Sequence, residues 1–433
     1  MSAFSSGAHR AVIGRTDRDG VPPALTAADR TEPTAGWPPS LQLLLGPAAE
    51  DLWSTVLATA GGRLQDLRST SVTLQPSTAA TVQYSATVEW PGGRRTTEPL
   101  AAVTGSRIPA GAAVVAGGVA GVPVEVGVWR WPLDPALPGL SWAASAAAVA
   151  ERLPALGLPL EGPRLRLRAY RPGRRAVIEV TAPGRRLFLK VVRPRAAERL
   201  AAQHTALAGS VPVPPVLAAT ADGVVVLPAM PGTPMRDLLA GGDGAGLPTS
   251  DAIDALLDAL PAPDAAAPVG PTPGDARARV ARHAAVLGLV AAPLRPRLTR
   301  LADRLAAADP GDHPLVPVHG DFYESQLLLH GGTVTGLLDV DTAGRGARLD
   351  DWATLLGHLT LLGELLPEPA TVDRYAAQLR AAAAVRWPAA ELAPRISAVL
   401  LGLATGPFRV QQRGWPELTE ARLGLAEREL DRT

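Results

Sequence analysis

Two stretches far apart in the chain carry the side chains best suited to chemistry. The first, LVPVHGDFYESQLLLHGG over 315–332, holds His319, Asp321 and Gln326. The second, VTGLLDVDTAGRGARLDDWATLLGHL over 334–359, holds Asp339 and Asp341. In each, an apolar, strand-like run delivers acidic residues to a loop. Carboxylates at the ends of apolar runs are costly to bury without a cation or hydrogen-bond donors. An all-oxygen set of carboxylates and an amide suits a hard cation such as Mg²⁺. A third stretch, LFLKVV over 187–192, holds Lys190, the single lysine beside 41 arginines. Arginine's planar fork and lysine's compact point charge do not interchange where a tight site must be filled. A lone ammonium in an apolar run therefore reads as a placed charge or, equally on composition alone, as the chance survivor of an arginine-biased composition.

The elements around these residues follow from periodicity and turn chemistry. The segment RLRLRAYRPGRRAVIEVTAPGRRLFLKVVRP, 164–194, reads as three strands joined at Arg171-Pro172-Gly173 and Pro183-Gly184-Arg185, which puts Lys190 near the end of the third. From Ala196 onward the pattern is mostly helical, interrupted by loops over 240–250 and 261–274. Upstream, residues 1–39 are polar and rich in Pro, Thr and Asp and are expected to be a disordered tail. Leu41 to Gly61 predicts one helix ended by glycine, and 72–105 alternates as a second β-meander. An alanine-rich helix over 143–153 leads into the Lys190 region. The two meanders have a similar rhythm, which a degenerate duplication or the ordinary punctuation of any meander would equally produce.

Composition bounds the partners. The formal net charge of +1 gives no bulk attraction to nucleic acid or anionic membrane. No cysteine is present, so thiolate metal sites, disulfides and cysteine nucleophiles are excluded, as fits a reducing compartment. The N-terminal residues lack the apolar core of a signal peptide, and the longest uncharged stretches are broken by Gly and Pro. A cytoplasmic protein acting on a small molecule, with no nucleic acid and no membrane partner, is the expectation.

Taken together, His319-Gly320-Asp321-x-x-x-x-Gln326, Leu338-Asp339-Val340-Asp341 and the later Asp350-Asp351-Trp352-Ala353 resemble the aminoglycoside phosphotransferase/choline kinase-like family, relatives of protein kinases. Alone, each motif also reads as an ordinary turn or a solvated strand end; their shared order gives the resemblance its specificity, over roughly 160–433. It implies an α+β, two-lobed kinase-like fold with a small β-rich N-lobe (156–233) and a helical C-lobe (234–433), preceded by a β-containing cap domain (40–155). It also implies ATP and Mg²⁺ as cofactors and a small-molecule hydroxyl as acceptor. Asp321 would orient that hydroxyl and take its proton, and His319 would brace the loop. Asp339 would hold Mg²⁺ with Gln326, and Asp341 would hold a second metal or support the first. Lys190 would pair with the α- and β-phosphates, and Glu198 is the candidate glutamate to hold it. Backbone groups around Leu227 to Met230, before the Pro231-Gly232 turn, would read the adenine edge.

Two departures stand out. Gln326 replaces the family's usual asparagine, as in maltokinase-like members, which also carry an N-terminal cap. Gly346-Ala347 stands where Gly-Asp is usual. A maltokinase-like sugar kinase and a non-catalytic, nucleotide-binding kinase-like module therefore remain as alternatives.

Overall fold

The computed structural model describes residues 36–105, 108–119, 122–242, 244–262, 273–309 and 311–432. Residues 1–35 of the expected tail lie outside the described residues, but its end does not behave as a tail. Trp37 is buried, donates its indole N–H to the Val290 carbonyl at 3.0 Å, and meets Phe408 edge-on. The single helix expected over Leu41–Gly61 is two, Pro39–Leu45 and Ala48–Ala58, broken at Gly46-Pro47. Proline at that point removes a backbone donor and sets the chain in a new direction.

The first five strands are β1 (Arg63–Leu74), β2 (Ala80–Glu89), β3 (Arg95–Thr104), β4 (Ala113–Val119) and β5 (Val122–Arg130). They form an antiparallel sheet ordered β1-β2-β3-β5-β4. Period-two burial along β2, at Ala80, Val82, Tyr84, Ala86 and Val88, turns one face onto the two helices, where Tyr84 donates to the Leu44 carbonyl at 2.7 Å. Burying one face fixes the register, because a one-residue slip would expose all five side chains.

The second sheet holds β6 (Arg164–Arg171), β7 (Arg175–Ala182), β8 (Arg185–Val192), β9 (Ala218–Ala219) and β10 (Val224–Pro228), ordered β6-β7-β8-β10-β9. Its strand order repeats that of the first sheet. Gly173 and Gly184, both at φ near +68°, make the two hairpin turns. One face packs on the helical segment 140–155 through Leu140, Val149 and Leu153, the other on helix Pro194–Leu207 through Ala197 and Leu200. From β10 the chain turns at Gly232 into β11 (Thr233–Pro234). A Cβ at Gly232 would lie 2.4 Å from Thr335 Oγ1, so only glycine allows this approach.

The remainder is a helical lobe carrying β12 (Val316–Val318), β13 (Leu327–His330), β14 (Thr333–Leu337) and β15 (Gly344–Gly346). The small sheets β11-β13-β14 and β12-β15 sit at its edge. Helices Arg348–Leu365, Ala370–Ala384, Ala389–Ala404 and Trp415–Leu430 close on a core that includes Trp352, Leu356 and Leu400. The architecture is α+β and two-lobed, a five-stranded lobe on a helical lobe, with a further β domain in front. No helix of the described residues is long and apolar enough to cross a membrane.

Candidate active site

The two acidic loops meet because β13 and β14 form a hairpin. Leu327 pairs with Leu337, and one step further the Leu338 N–H donates to the Gln326 carbonyl at 2.8 Å. Gln326 and Asp339 are thereby brought to one end of the ladder. Asp339 adopts a left-handed conformation, φ 52° and ψ 47°, sparsely populated for a residue with a side chain, and opens a 3₁₀ turn, Val340–Thr342.

His319-Gly320-Asp321 is fixed against that turn. Thr342 donates its hydroxyl to the His319 carbonyl at 3.1 Å, and a Cβ at Gly320 would sit 2.6 Å from the Thr342 carbonyl oxygen. Asp351, fully buried at the start of helix Arg348–Leu365, accepts the backbone N–H groups of His319 and Gly320, one on each carboxylate oxygen, at 2.8 Å. The His319 ring lies with Nε2 2.9 Å from the Leu338 carbonyl, so that nitrogen carries the proton. Nδ1 is left to accept the Asp321 N–H at 3.3 Å. The imidazole thus ties the Asp321 loop to the Asp339 loop. Burial pushes the Asp321 carboxyl above its ordinary range, the neighbouring Asp339 charge adds to this, and Arg175 and Arg171 oppose it.

Lys190 comes from the other lobe. It is buried near the end of β8, pairs with Val177 of β7 and Val225 of β10, and reaches across the cleft. Its Nζ lies 2.8 Å from Asp339 Oδ1 and 2.5 Å from Asp341 Oδ1, although 149 and 151 residues separate the partners. Arg175 joins them from the start of β7. Its two terminal nitrogens lie 3.3 and 3.4 Å from the two Asp339 oxygens, and one is 3.5 Å from Asp341 Oδ2. Burial works against the charge on Asp339, yet Lys190 and Arg175 outweigh it and hold the carboxyl at about 2.

The expected partner of Lys190 is corrected. Glu198 is exposed on helix Pro194–Leu207, whose inward face is Ala197, Leu200, His204 and Leu207. Lys190 pairs with Asp339 and Asp341 instead. Leu227 lies in β10 opposite Phe188, Ala229 donates its N–H to the Arg186 carbonyl, and Met230 follows at the edge of the cleft turn.

Two further contributors complete the site, of which the sequence offered only the first, as Arg174 or Arg175 of the turn YRPGRR that stands in place of a glycine-rich phosphate loop. Arg175 is one arginine among 41. Asp134, buried between the front domain and the N-lobe, accepts the Gly173 N–H at 2.7 Å and the Tyr170 hydroxyl at 2.9 Å, while Tyr170 in turn accepts the Trp129 indole N–H at 2.9 Å. Arg193 donates to the Gly173 carbonyl at 2.8 Å. Both polar groups of Gly173 are therefore held, which fixes the β6–β7 turn above the acids.

The residues present fit a Mg²⁺ ion. Asp339 and Asp341 present carboxylate oxygens beside each other, Gln326 sits at the same end of the ladder, and the two carboxylates are neutralised by side-chain cations, which shows that the site calls for positive charge. Among the described residues no three His, Cys, Asp or Glu converge to hold a metal unaided. A partial protein shell is what Mg²⁺ takes when phosphates and water complete it.

The profile of the phosphotransferase enzyme family matches residues 166–394, which run from β6 through the hinge, His319–Asp321 and Asp339 into the C-terminal helices. No curated protein matches the chain. Among solved structures it is similar to macrolide 2'-phosphotransferase MphH from Brachybacterium faecium, at 22% identity over 64% of this chain and 97% of that one, with a TM-score of 0.42. It is also similar to a thermostable mutant of aminoglycoside phosphotransferase APH(4)-Ia in complex with ADP and hygromycin B, at 15% identity over 64% of this chain and 97% of that one, TM-score 0.46. An aminoglycoside-3'-phosphotransferase of type VIII aligns at 24% identity over 57% of this chain and 97% of that one, TM-score 0.41.

Proposed function

The chain belongs to the phosphotransferase enzyme family and is a small-molecule phosphotransferase; from that premise we propose that it moves the γ-phosphoryl group of ATP to a hydroxyl of its acceptor. The observation that carries this reading is the convergence of Lys190 on Asp339 and Asp341 from opposite lobes. The same loops carry Asp321, and His319 fixes their spacing.

In the proposed reaction Asp321 accepts a hydrogen bond from the acceptor hydroxyl and orients its oxygen toward the γ-phosphorus. As the new O–P bond forms, the hydroxyl proton passes to the Asp321 carboxylate, and the bond between γ-phosphorus and the bridging oxygen of ADP breaks. Lys190 compensates charge on the α- and β-phosphates. Asp339, with Gln326 and Asp341, would hold Mg²⁺, whose positive charge would offset that of the phosphates. The hinge from Leu227 to Met230 would take the adenine edge through its backbone. The raised Asp321 carboxyl suits a base: a carboxylate costly to keep charged is readier to take a proton.

Beside Asp321, Tyr323 stacks on His358 at 4.0 Å, and the next acid, buried Glu324, is matched by Arg236 at 3.0 Å. Gln326 and the front β domain support a maltokinase-like sugar kinase as a narrower form of the same reading. The test is ADP release with Mg²⁺–ATP across a panel of sugars, amino sugars, choline, homoserine and aminoglycosides, using wild type and Asp321→Ala. One acceptor should stimulate release by wild type alone. Tight Mg²⁺–ATP binding with no turnover on any acceptor would instead support a non-catalytic nucleotide-binding module.

A further inference from the structure

Arg175 and Lys190 are diagonal neighbours on one face of the N-lobe sheet, since Lys190 pairs with Val177, two residues along β7 from Arg175. Both reach the same two carboxylates, but not on the same terms. Lys190 is nearly buried, with contacts of 2.8 and 2.5 Å. The Arg175 side chain is 28% exposed, and its contacts run from 3.3 to 3.5 Å, beyond the 2.7–2.9 Å usual for a charge-assisted pair. Arg175 nevertheless covers both oxygens of Asp339, the positions a metal would need. Its backbone is anchored, because the Gly173 N–H and carbonyl are tied to Asp134 and Arg193. The side chain can therefore leave the acids without the hairpin moving.

We infer that Arg175 is an exchangeable counterion: with the cleft empty its fork neutralises Asp339 and Asp341 across the two lobes, and it moves to phosphate oxygens when a metal-bound nucleotide arrives. Carboxylate and phosphate both present paired oxygens to a guanidinium, so one fork serves both. Lys190 stays, as the buried and more closely held cation. One singly charged guanidinium leaves the carboxylates as a doubly charged metal enters, and the phosphates that arrive with the metal take up the guanidinium. This inference rests on the phosphotransferase reading of the site.

The test compares full-length wild type, Arg175→Met and Arg175→Lys in two titrations that need no turnover: Mg²⁺ alone, followed by thermal stability, and a fluorescent ADP analogue with and without Mg²⁺. Removing the competing cation should lower the half-saturating Mg²⁺ concentration of Arg175→Met about fivefold, the size of a part-exposed ion pair. The same variant should lose roughly tenfold in ADP affinity, the cost of one charge-assisted fork. Arg175→Lys, charged but unable to form a fork, should keep the wild-type Mg²⁺ midpoint and still lose ADP affinity. Unchanged or weaker Mg²⁺ binding by Arg175→Met, or unchanged ADP affinity in both variants, overturns the exchange. Wild type that binds neither Mg²⁺ nor the ADP analogue overturns the phosphotransferase site itself, a separate result.

Discussion

Asp351→Asn removes one charge from a fully buried position and should loosen the loop that presents Asp321. In the wild type each Asp351 oxygen accepts one backbone N–H, from His319 and from Gly320, both at 2.8 Å. Asparagine keeps one acceptor and turns an NH₂ group toward the other N–H, so one charge-assisted bond, worth about 2 kcal/mol, is lost outright. The remaining bond falls from charge-assisted to neutral, about 1 kcal/mol more. Burial already pushes the Asp351 carboxyl up, so relief of that strain returns part of the loss. The expected net destabilisation is about 2–3 kcal/mol, or roughly 5–10 °C for a lobe of this size. Asp321 should be displaced as well, with kcat down about a hundredfold and nucleotide KM little changed. The neighbouring Asp350→Asn is the control. Asp350 pairs with Arg395 at 3.0 Å from a side chain 36% exposed, and its loss should cost at most about 1 kcal/mol. Urea unfolding and steady-state kinetics on both variants decide the matter. If Asp351→Asn unfolds within about 0.5 kcal/mol of wild type, or Asp350→Asn matches it, Asp351 does not anchor the loop.

Three further outcomes are expected. Ala347 is the N-cap of helix Arg348–Leu365, makes no side-chain cap bond, and borders a cavity of about 340 Å³, so Ala347→Ser should stabilise by about 1 kcal/mol in a urea melt; a neutral or negative change would show that the helix start needs no cap. Burial holds His358 neutral down to about 4, whereas the unfolded chain takes the proton near 6.5, so folding stability falls with pH through that window. Relative to His358→Phe, wild type should lose about 2 kcal/mol more between pH 7 and pH 5, and parallel acid slopes would refute this. Asp134→Ala leaves the Gly173 and Tyr170 donors buried without an acceptor and should cost about 3 kcal/mol while raising nucleotide KM severalfold; an unchanged KM would detach the hairpin from phosphate binding.

The legible part of the site was the part written in uncommon side chains. His319-Gly320-Asp321, Asp339 and Asp341 stood out because acids at the ends of apolar runs need partners, and Lys190 because it was alone. Glu198 was misplaced for a reason that its own helix displays: the apolar positions Ala197, Leu200 and Leu207 mark the buried stripe and leave 198 outside it. The strands β4 and β5 escaped notice because a Gly/Ala/Pro/Val-rich run shows no alternation, and only pairing with β3 makes them strands. The first helix was drawn too long because its apolar spacing continues across Gly46-Pro47, where the backbone cannot. Arg175 was named only as one of two arginines of the turn YRPGRR, and Asp134 not at all, because both act through where the hairpin sits.

The contrast between Lys190 and Arg175 accounts for the one lysine in a chain that otherwise uses arginine. Both cations serve the same two carboxylates, from adjacent strands of one sheet. Position 190 points out of a buried run, with its side chain 8% exposed, and its single Nζ touches one oxygen of each aspartate. A guanidinium there is wider than the ammonium it would replace, and it would have to fit beside Val177 and Val225, the cross-strand neighbours of position 190. Position 175 opens at the hairpin's edge, where a fork can span both Asp339 oxygens and its other donors still meet solvent. Lysine persists at the buried end because only a compact charge fits there. The exposed end accepts the arginine that the composition favours.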